Sequence, residues 1–490
     1  AEGGSRVSTG HEILFPRLPY DMSPRVGLAR GDISLQQFVH QATRSKDAGR
    51  RSAMHEAFGE RADDLRRLAG QIKQHTLDHL DHYLAMWIER AQAAGTTVHV
   101  AESAEEANEI CLSIARRAGC TSCVKSKSMV TEETGLLAKL AQAGIPTLET
   151  DLGEFIVQLD GDAPSHIVTP MIHKDRRSVA RAFVRELSSA YTEDPRALTM
   201  IAREHMRASF RRADLGVTGA NFLLAESGGL VLCTNEGNAD LTVACPRVHV
   251  AMVGIEKVIP SVRELPLFLK LLARSATAQP ITVYTTILTG GRRTGEDGPE
   301  ESHVILVDAG RTRLLREEAR ELLRCIRCGA CLNACPVYRK AGGGHAYGAV
   351  YSGPIGAVLT PELRGLMNYA DLPHASSLCG ACFEACPVAI DIPHHLLRLR
   401  AALKDAGAPT FGERAVMRLW GWVLRSPRRY RLIARLAGWV LRRLADGSDE
   451  DGRLWLRNAP GPAAGWTRDR DLPAPAEQSF RDLWALEESR

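Results

Sequence analysis

Residues 1–75 read as polar helix, with Arg and Lys spread among acids. From residue 76 the apolar positions alternate between helical spacing and short continuous runs. TLDHLDHYLAMWIERAQAAG carries apolar residues at helical intervals and stops at Gly95. TVHVA (97–101) reads as a strand, and AEEANEICLSIARRAG as a helix ended by Gly119. SCVKSKS is strand plus turn, TEETGLLAKLAQAG a helix with an acidic first turn, and IPTLET a short strand. NFLLAESGGLVLCT holds two apolar strands broken at Gly228 and Gly229. VHVAMVGIEKVI is a buried strand leading to a helix in PSVRELPLFLKLLARSA. This alternation predicts a mostly parallel sheet covered by helices over residues 76–300, closing after the turn-rich GGRRTGEDGPEE.

Composition adds limits. The chain has 490 residues, 44% hydrophobic and 24% charged, with a net charge of +4, which suits an ordinary multidomain protein. No apolar run reaches the roughly 18–20 residues of a membrane span. The opening AEGGSRVSTG lacks a basic stretch followed by an apolar one, so no secretory signal is expected. Residues 401–490 read as a basic amphipathic helical tail that becomes Pro-, Gly- and charge-rich from Asp446, where loose order is expected. Residues 394–446 hold twelve Lys or Arg against three acids, with Trp420, Trp422 and Trp439 among them. Leu432, Ile433, Leu436, Trp439, Val440 and Leu444 share one helical face. Such a face is either solvated or docks on an acidic partner or an anionic membrane surface. Nucleic acid is not expected, because no recognisable binding module accompanies the charge.

The cysteines between residues 301 and 400 change the picture most. Cys325, Cys328, Cys331 and Cys335, then Pro336, spell C-x2-C-x2-C-x3-C-P. Cys379, Cys382 and Cys386, then Pro387, repeat the pattern with Ser376 where a first cysteine would stand. Three thiolates on one tight loop reach three irons of a cube, and the fourth ligand crosses to the other cluster. The spacing therefore assigns Cys325, Cys328, Cys331 and Cys386 to one iron–sulfur cluster, and Cys335, Cys379 and Cys382 to a second. The second is 3Fe–4S, or 4Fe–4S with its last iron on Ser376, water or a partner; Ser376 reads more simply as a turn cap. Zinc, with four ligands in two C-x2-C pairs, has no use for this arrangement. Seven of the twelve cysteines lie in these runs, which argues for a reducing compartment and a cytoplasmic protein, at most peripheral at the inner face of a membrane. Cys120 and Cys123 form a lone C-x2-C that reads as packing, as do Cys111, Cys233 and Cys245.

In the α/β region, polar residues gather at predicted strand ends and turns: Lys125, Lys127, Glu149, Asp151, Glu154, His166, His173, Asn221, Glu226, Asn235, Glu236 and Asn238. Turns at the strand ends of an open parallel sheet commonly line a ligand crevice, although each residue alone reads as a cap. No G-x-G-x-x-G, P-loop or nucleophile elbow is present, so nucleotide and triad chemistry lack support.

VKSKSMVTEE, ETDLGEFIVQL, PSHIVTPMIHK, LGVTGANFLLAESGGLVLCTNEGNA, GEDGPEE, CIRCGACLNACPVY, YSGPIGAVLTP and SSLCGACFEACPV together resemble the lactate utilization protein B family, from about residue 10 to about residue 440. The resemblance implies an α/β lactate-utilization domain of the sugar-isomerase and coenzyme A transferase-like kind, followed by an all-α, helical two-cluster ferredoxin domain. It implies an electron-transfer subunit of an L-lactate-oxidising, dehydrogenase-type complex that forms pyruvate and allows growth on lactate. The implied partners are a cysteine-rich subunit with a Cys-Cys-Gly signature and a second lactate-utilization-domain protein. SSLCGAC, with no first cysteine, fits the family's pattern. A second reading has the α/β domain itself bind and oxidise a hydroxy acid or activated carboxylate, with the clusters serving it.

Overall fold

The short apolar runs form strands wherever helices can cover them. The computed structural model describes residues 8–408, 410–461, 464–468 and 470–488. The chain makes two compact units that meet in sequence between Ala406 and Gly407. In the first unit the strands are β1 (Thr97–Ala101), β2 (Cys123–Lys125), β3 (Thr147–Glu149), β4 (Leu215–Thr218), β5 (Phe222–Leu224), β6 (Gly229–Thr234), β7 (Val248–Gly254), β8 (Val258–Ile259), β9 (Tyr284–Leu288) and β10 (Glu301–Val307). Six of them form one sheet in the order β1-β10-β7-β4-β2-β3. Every neighbouring pair in it is parallel. β4 and β7 are buried along their whole length, as parallel strands covered on both faces must be. The sequence places the end of this domain near residue 300; the sheet instead takes β10 from beyond that turn and inserts it between β1 and β7.

β5 and β6 form an antiparallel hairpin in a second, mixed sheet of order β8-β5-β6-β9. At its turn Gly228 has φ +70°, and a Cβ there would lie 2.3 Å from the Ala91 amide nitrogen. Only glycine lets the hairpin sit on helix Leu80–Ala93, whose buried Trp87 donates to the Gly229 carbonyl at 3.1 Å.

The covering helices carry the expected caps and charges. Ser103 accepts from the Glu106 amide at the start of Ala104–Arg117, which has Glu105 and Glu106 in its first turn and Arg116 and Arg117 in its last. Between residues 318 and 405 the described residues form only α- and 3-10 helices. The N-terminal helices belong to the same body. Ile33–Phe58 packs on Ala330–Ala334, Pro336–Lys340 and Leu265–Thr277. Arg66, from Ala62–Asp78, donates to the carbonyls of Cys386 (2.7 Å) and Phe383 (2.6 Å).

A buried ionic joint ties these parts together. Arg311, just past β10, is fully buried. Its Nη1 and Nη2 each lie 2.9 Å from a Glu133 carboxylate oxygen, and its Nε donates to Glu256 at 2.6 Å. Tyr351 donates to Glu133 at 2.6 Å. Burial alone would raise the Glu256 pKa, but Arg311, Arg327 and Lys257 hold it down at about 2. A Cβ on Gly254 would lie 2.1 Å from the Glu256 carboxylate, so the end of β7 must be glycine for the joint to close.

The second unit holds helices Phe411–Leu424 and Pro427–Leu444, the former with a Thr410–Glu413 capping box. The expected apolar stripe is largely solvent-exposed, with Leu432 70%, Leu436 60% and Trp439 50% exposed. Past Asp446, where the composition suggests loose order, the chain forms a small antiparallel sheet of three short strands. Asp446 organises it by accepting from the Arg457 and Asn458 amides at 2.6 and 3.0 Å. Among the described residues no helix is long and apolar enough to cross a membrane.

Replacing Arg311 by Met leaves Glu133 buried without its cation and Glu256 with only the longer contact to Arg327. The loss of stability is expected to be about 3–5 kcal/mol. Replacing Arg117, whose pair with Glu301 is half-exposed, should cost under about 1 kcal/mol. Denaturant unfolding of the two variants checks this, and equal effects would contradict it.

Candidate functional site: two cysteine loops and a cavity at the sheet switch point

The two cysteine runs have one backbone design. Arg327 (φ +62°) and Gly329 (φ +73°) flank Cys328; Leu378 (φ +55°) and Gly380 (φ +82°) flank Cys379. Each loop then enters a five-residue helix, Ala330–Ala334 or Ala381–Ala385, and ends on an extended Cys335 or Cys386 ahead of proline. The left-handed residues fold each loop back on itself, so its sulfurs converge. All seven thiols are free of disulfides.

Cys325, Cys328, Cys331 and Cys386 line one small cavity, with Ile326, Ile355, Val388 and Ile390 around it. Burial pushes the Cys386 thiol up to about 11, against amide donors at Ile390 and Val388. Cys335 lies near Cys379 and Cys382: burial, then Cys335, pushes Cys382 up to about 12. Backbone amides reach two of the sulfurs, Tyr338 to Cys335 at 3.5 Å and Ile390 to Cys386 at 3.4 Å. Crowded, buried thiols resist ionising together unless cations join them. Soft sulfur donors, apolar walls and N–H···S contacts are what an iron–sulfur cluster requires. Ser376 accepts from the Leu378 amide at 3.1 Å, the turn-capping role.

The second feature lies at the switch point of the parallel sheet. From β2 the chain runs outward to β3; from β4 it runs the other way through β7 to β10. Ligand crevices open outside the carboxyl ends of strands at such a point. A cavity of about 380 Å³ lies here, and among the residues that line it are Lys127, Asp151, Asn221, Asn235, Glu236 and Asn238, all legible in the sequence. Lys127 is paired to Glu154 at 2.5 Å. Asp151 caps helix Leu152–Leu159, and Glu236 accepts from the Leu152 amide at 3.1 Å. Burial and the Asp151 charge push Glu236 up to about 7. The asparagines mainly brace turns: Asn221 accepts from the Cys233 amide and Asn235 from that of Val283. A larger cavity, about 550 Å³, lies among the helices around Phe183 and Leu198; its surface is mostly apolar, with Lys174, Asp175 and Glu193 among the residues that line it.

Other candidates lie elsewhere. Lys125 is fully buried behind the cavity wall between Glu132 and Glu149, at 3.0 and 2.7 Å. Its ammonium occupies the centre of the Glu132, Glu149 and Glu154 carboxylates. Glu226 sits in the β5–β6 turn, exposed and outside the cavity. His166 Nδ1 accepts from the Val168 and Thr169 amides, so its Nε2 carries the proton and donates to Asn333 Oδ1 at 3.2 Å. Burial keeps this ring neutral, with a pKa near 3. His173 bridges Ser165 (2.7 Å) and Asp162 (2.9 Å) in a triad-like line. Ser165 is 1% exposed and pressed against Gly343 and Gly344, so the line clamps the α/β domain to the cysteine region rather than presenting a nucleophile. Cys111, Cys120 and Cys123 are core residues, whereas Cys233 lines the switch-point cavity and Cys245 is exposed.

Two cavity residues escape sequence reasoning, Lys257 and Arg327. Lys257 ends the short turn between β7 and β8 and is buried; burial first, then Arg327, pulls its pKa down to about 8. Arg327 belongs to the first cysteine loop. The cue to it was a cation inside a C-x2-C, in CIRC.

Comparison with known proteins matches three family models along the chain: LUD domain over residues 84–307, 4Fe-4S dicluster domain over 321–390, and Lactate utilisation protein B, C-terminal, over 399–489. The chain is 43% identical over 426 residues to Lactate utilization protein B of Oceanobacillus iheyensis, covering 86% of this chain and 87% of that protein. The same-named protein of Geobacillus kaustophilus is 44% identical over 423 residues, with 86% and 87% covered. That of Geobacillus sp. strain WCH70 is 43% identical over 452 residues, with 90% and 94% covered.

The two loop glycines allow a paired test. Gly380→Ala meets open space and only the backbone penalty, about 1–2 kcal/mol. Gly329→Ala adds a Cβ 3.0 Å from the His166 ring. Iron content and thermal midpoint should fall further for Gly329→Ala; the reverse order would contradict the packing described.

Proposed function

Because the chain belongs to the lactate utilization protein B family, we propose that it is the iron–sulfur electron-transfer subunit of a system oxidising L-lactate to pyruvate. Cys325, Cys328, Cys331 and Cys386 hold one cluster. Cys335, Cys379 and Cys382 hold the other, which has either three irons or a fourth bound outside the cysteines. The observation that carries this reading is the grouping of the thiols, in which Cys386 shares a cavity with the three cysteines of the other loop. When bound, an iron–sulfur cluster accepts and donates single electrons. The chain's own part is to exclude water with Ile326, Ile355, Val388 and Ile390, and to place amides against Cys335 and Cys386. Its partners in this reading are the Cys-Cys-Gly subunit and a second lactate-utilization-domain protein, in the cytoplasm.

Substitution tests the crossed grouping. Cys386→Ser is expected to remove the EPR signal of the cluster held by Cys325, Cys328 and Cys331 and to spare the other. Cys335→Ser should do the opposite. If each substitution removed the cluster of its own run, the proposal would fail.

The second unit supplies the docking surface. Its two basic helices expose Trp420, Trp422 and Trp439 beside arginines, with Arg429 stacked on Trp422 and Arg443 on Trp439. Charge attraction of this kind is screened over about 8 Å at physiological salt. Truncation after Ala406 should preserve both clusters and abolish salt-sensitive binding to the partner subunits, measured by sedimentation. Unchanged affinity would rule the docking role out; salt-sensitive loss of binding only to anionic vesicles would transfer it to a membrane surface.

A further inference from the structure

We propose that the switch-point cavity binds the carboxylate of a small 2-hydroxy or 2-oxo acid, anchored by Arg327 and Lys257 beside the first cysteine loop. This rests on the reading above for the identity of the acid. The site itself rests on four observations.

First, the cavity of about 380 Å³ stands outside the strand ends where open α/β sheets take ligands, and it exceeds the volume of a three-carbon acid, leaving room for water. Second, Arg327 lines it and is 9% exposed, yet its Nη1 has no hydrogen-bond partner. Its Nη2 reaches one Glu256 oxygen at 3.4 Å, while Arg311 donates to the other at 2.6 Å. An unfilled buried guanidinium is costly, and its planar fork matches a carboxylate. Third, two buried cations, Arg327 and Lys257, stand together at the cavity wall, with Glu256 and the Cys325 thiol beside them. Lys257 makes neither a hydrogen bond nor a salt bridge among the described residues. Fourth, Arg327 is held in this pose. Its backbone is left-handed, with φ +62°, its side chain borders both the cysteine cavity and the switch-point cavity, and its guanidinium stacks on Tyr351 at 4.3 Å. The matching position in the second loop is Leu378, so the fold of the loop does not itself require a cation there.

Asp151 and Glu236 line the same cavity and supply acceptors that a hydroxyl could meet. A hydroxy acid would thus offer its carboxylate to Arg327 and Lys257 and its hydroxyl to this acidic pair. The same loop carries Cys325 and Cys328, so ligand and first cluster would be neighbours.

The test uses the full chain with its clusters reconstituted under anaerobic conditions. Calorimetric titration with L-lactate, pyruvate and, as control, propionate is expected to show saturable binding, weakest for propionate. Arg327→Gln and Lys257→Gln should each weaken it about tenfold or more. If Arg327→Gln fails to hold iron, Arg327→Lys and Lys257→Gln carry the test. The bound acid should also shift the EPR spectrum of the cluster held by Cys325, Cys328 and Cys331. No saturable binding, or binding that both substitutions leave unchanged, would overturn the site. So would a change in cluster potential alone. In those cases lactate-driven reduction of the clusters through the partner subunits would still support the electron-transfer reading. Carboxylate binding with clusters that the complete system never reduces would support the site and overturn that reading.

Discussion

The buried pairing of Arg311 with Glu133 and Glu256 is the constraint on which the first unit depends. Taking such charges out of water costs several kcal/mol per ion unless geometry and further hydrogen bonds compensate. Here the compensation is close: two-pronged contact with Glu133, a short bond to Glu256, and the Tyr351 hydroxyl donating to Glu133 Oε2 beside Arg311 Nη2. Glu133 follows β2, Glu256 follows β7, Arg311 follows β10, and Tyr351 and Arg327 come from the cysteine region. The joint therefore fixes the parallel sheet against the cysteine loops at their shared border. A hydrophobic contact would bury that border equally well without specifying one register.

That constraint also explains the unusual position of Arg327. Glu256 is shared between two guanidinium groups, Arg311 on one oxygen and Arg327 on the other, and Arg327 Nη1 is left without an acceptor. The cysteine loops meanwhile repeat one another in backbone and differ in side chains. Position 325 is a thiol where Ser376 caps a turn, and Arg327 stands where the second loop has Leu378. One duplicated loop has thus acquired two differences, a missing sulfur on one side and a cation facing the α/β domain on the other.

Much of this was legible in the sequence, for local reasons. TVHVA is β1 residue for residue, and the glycine break at Gly228 and Gly229 is the β5–β6 turn. The cysteine spacing encodes the loops because tight turns and short helices are local. What was not legible depends on long-range register. Nothing in HVILVDAG says that its strand slots between β1 and β7, or that Ile33–Phe58 lies on the cysteine helices. The residues at the switch point were found through their turns. Lys257 and Arg327 were missed because one looks like a strand end and the other like a spacer between ligands.

The proposed holding of two distinct clusters by seven cysteines in crossed fashion is tested by iron and acid-labile sulfide analysis of the anaerobically purified full chain, combined with Mössbauer spectroscopy. About seven or eight irons per chain are expected, resolved into two cluster populations that differ in ligation. About four irons per chain in a single population, after full reconstitution, would contradict it.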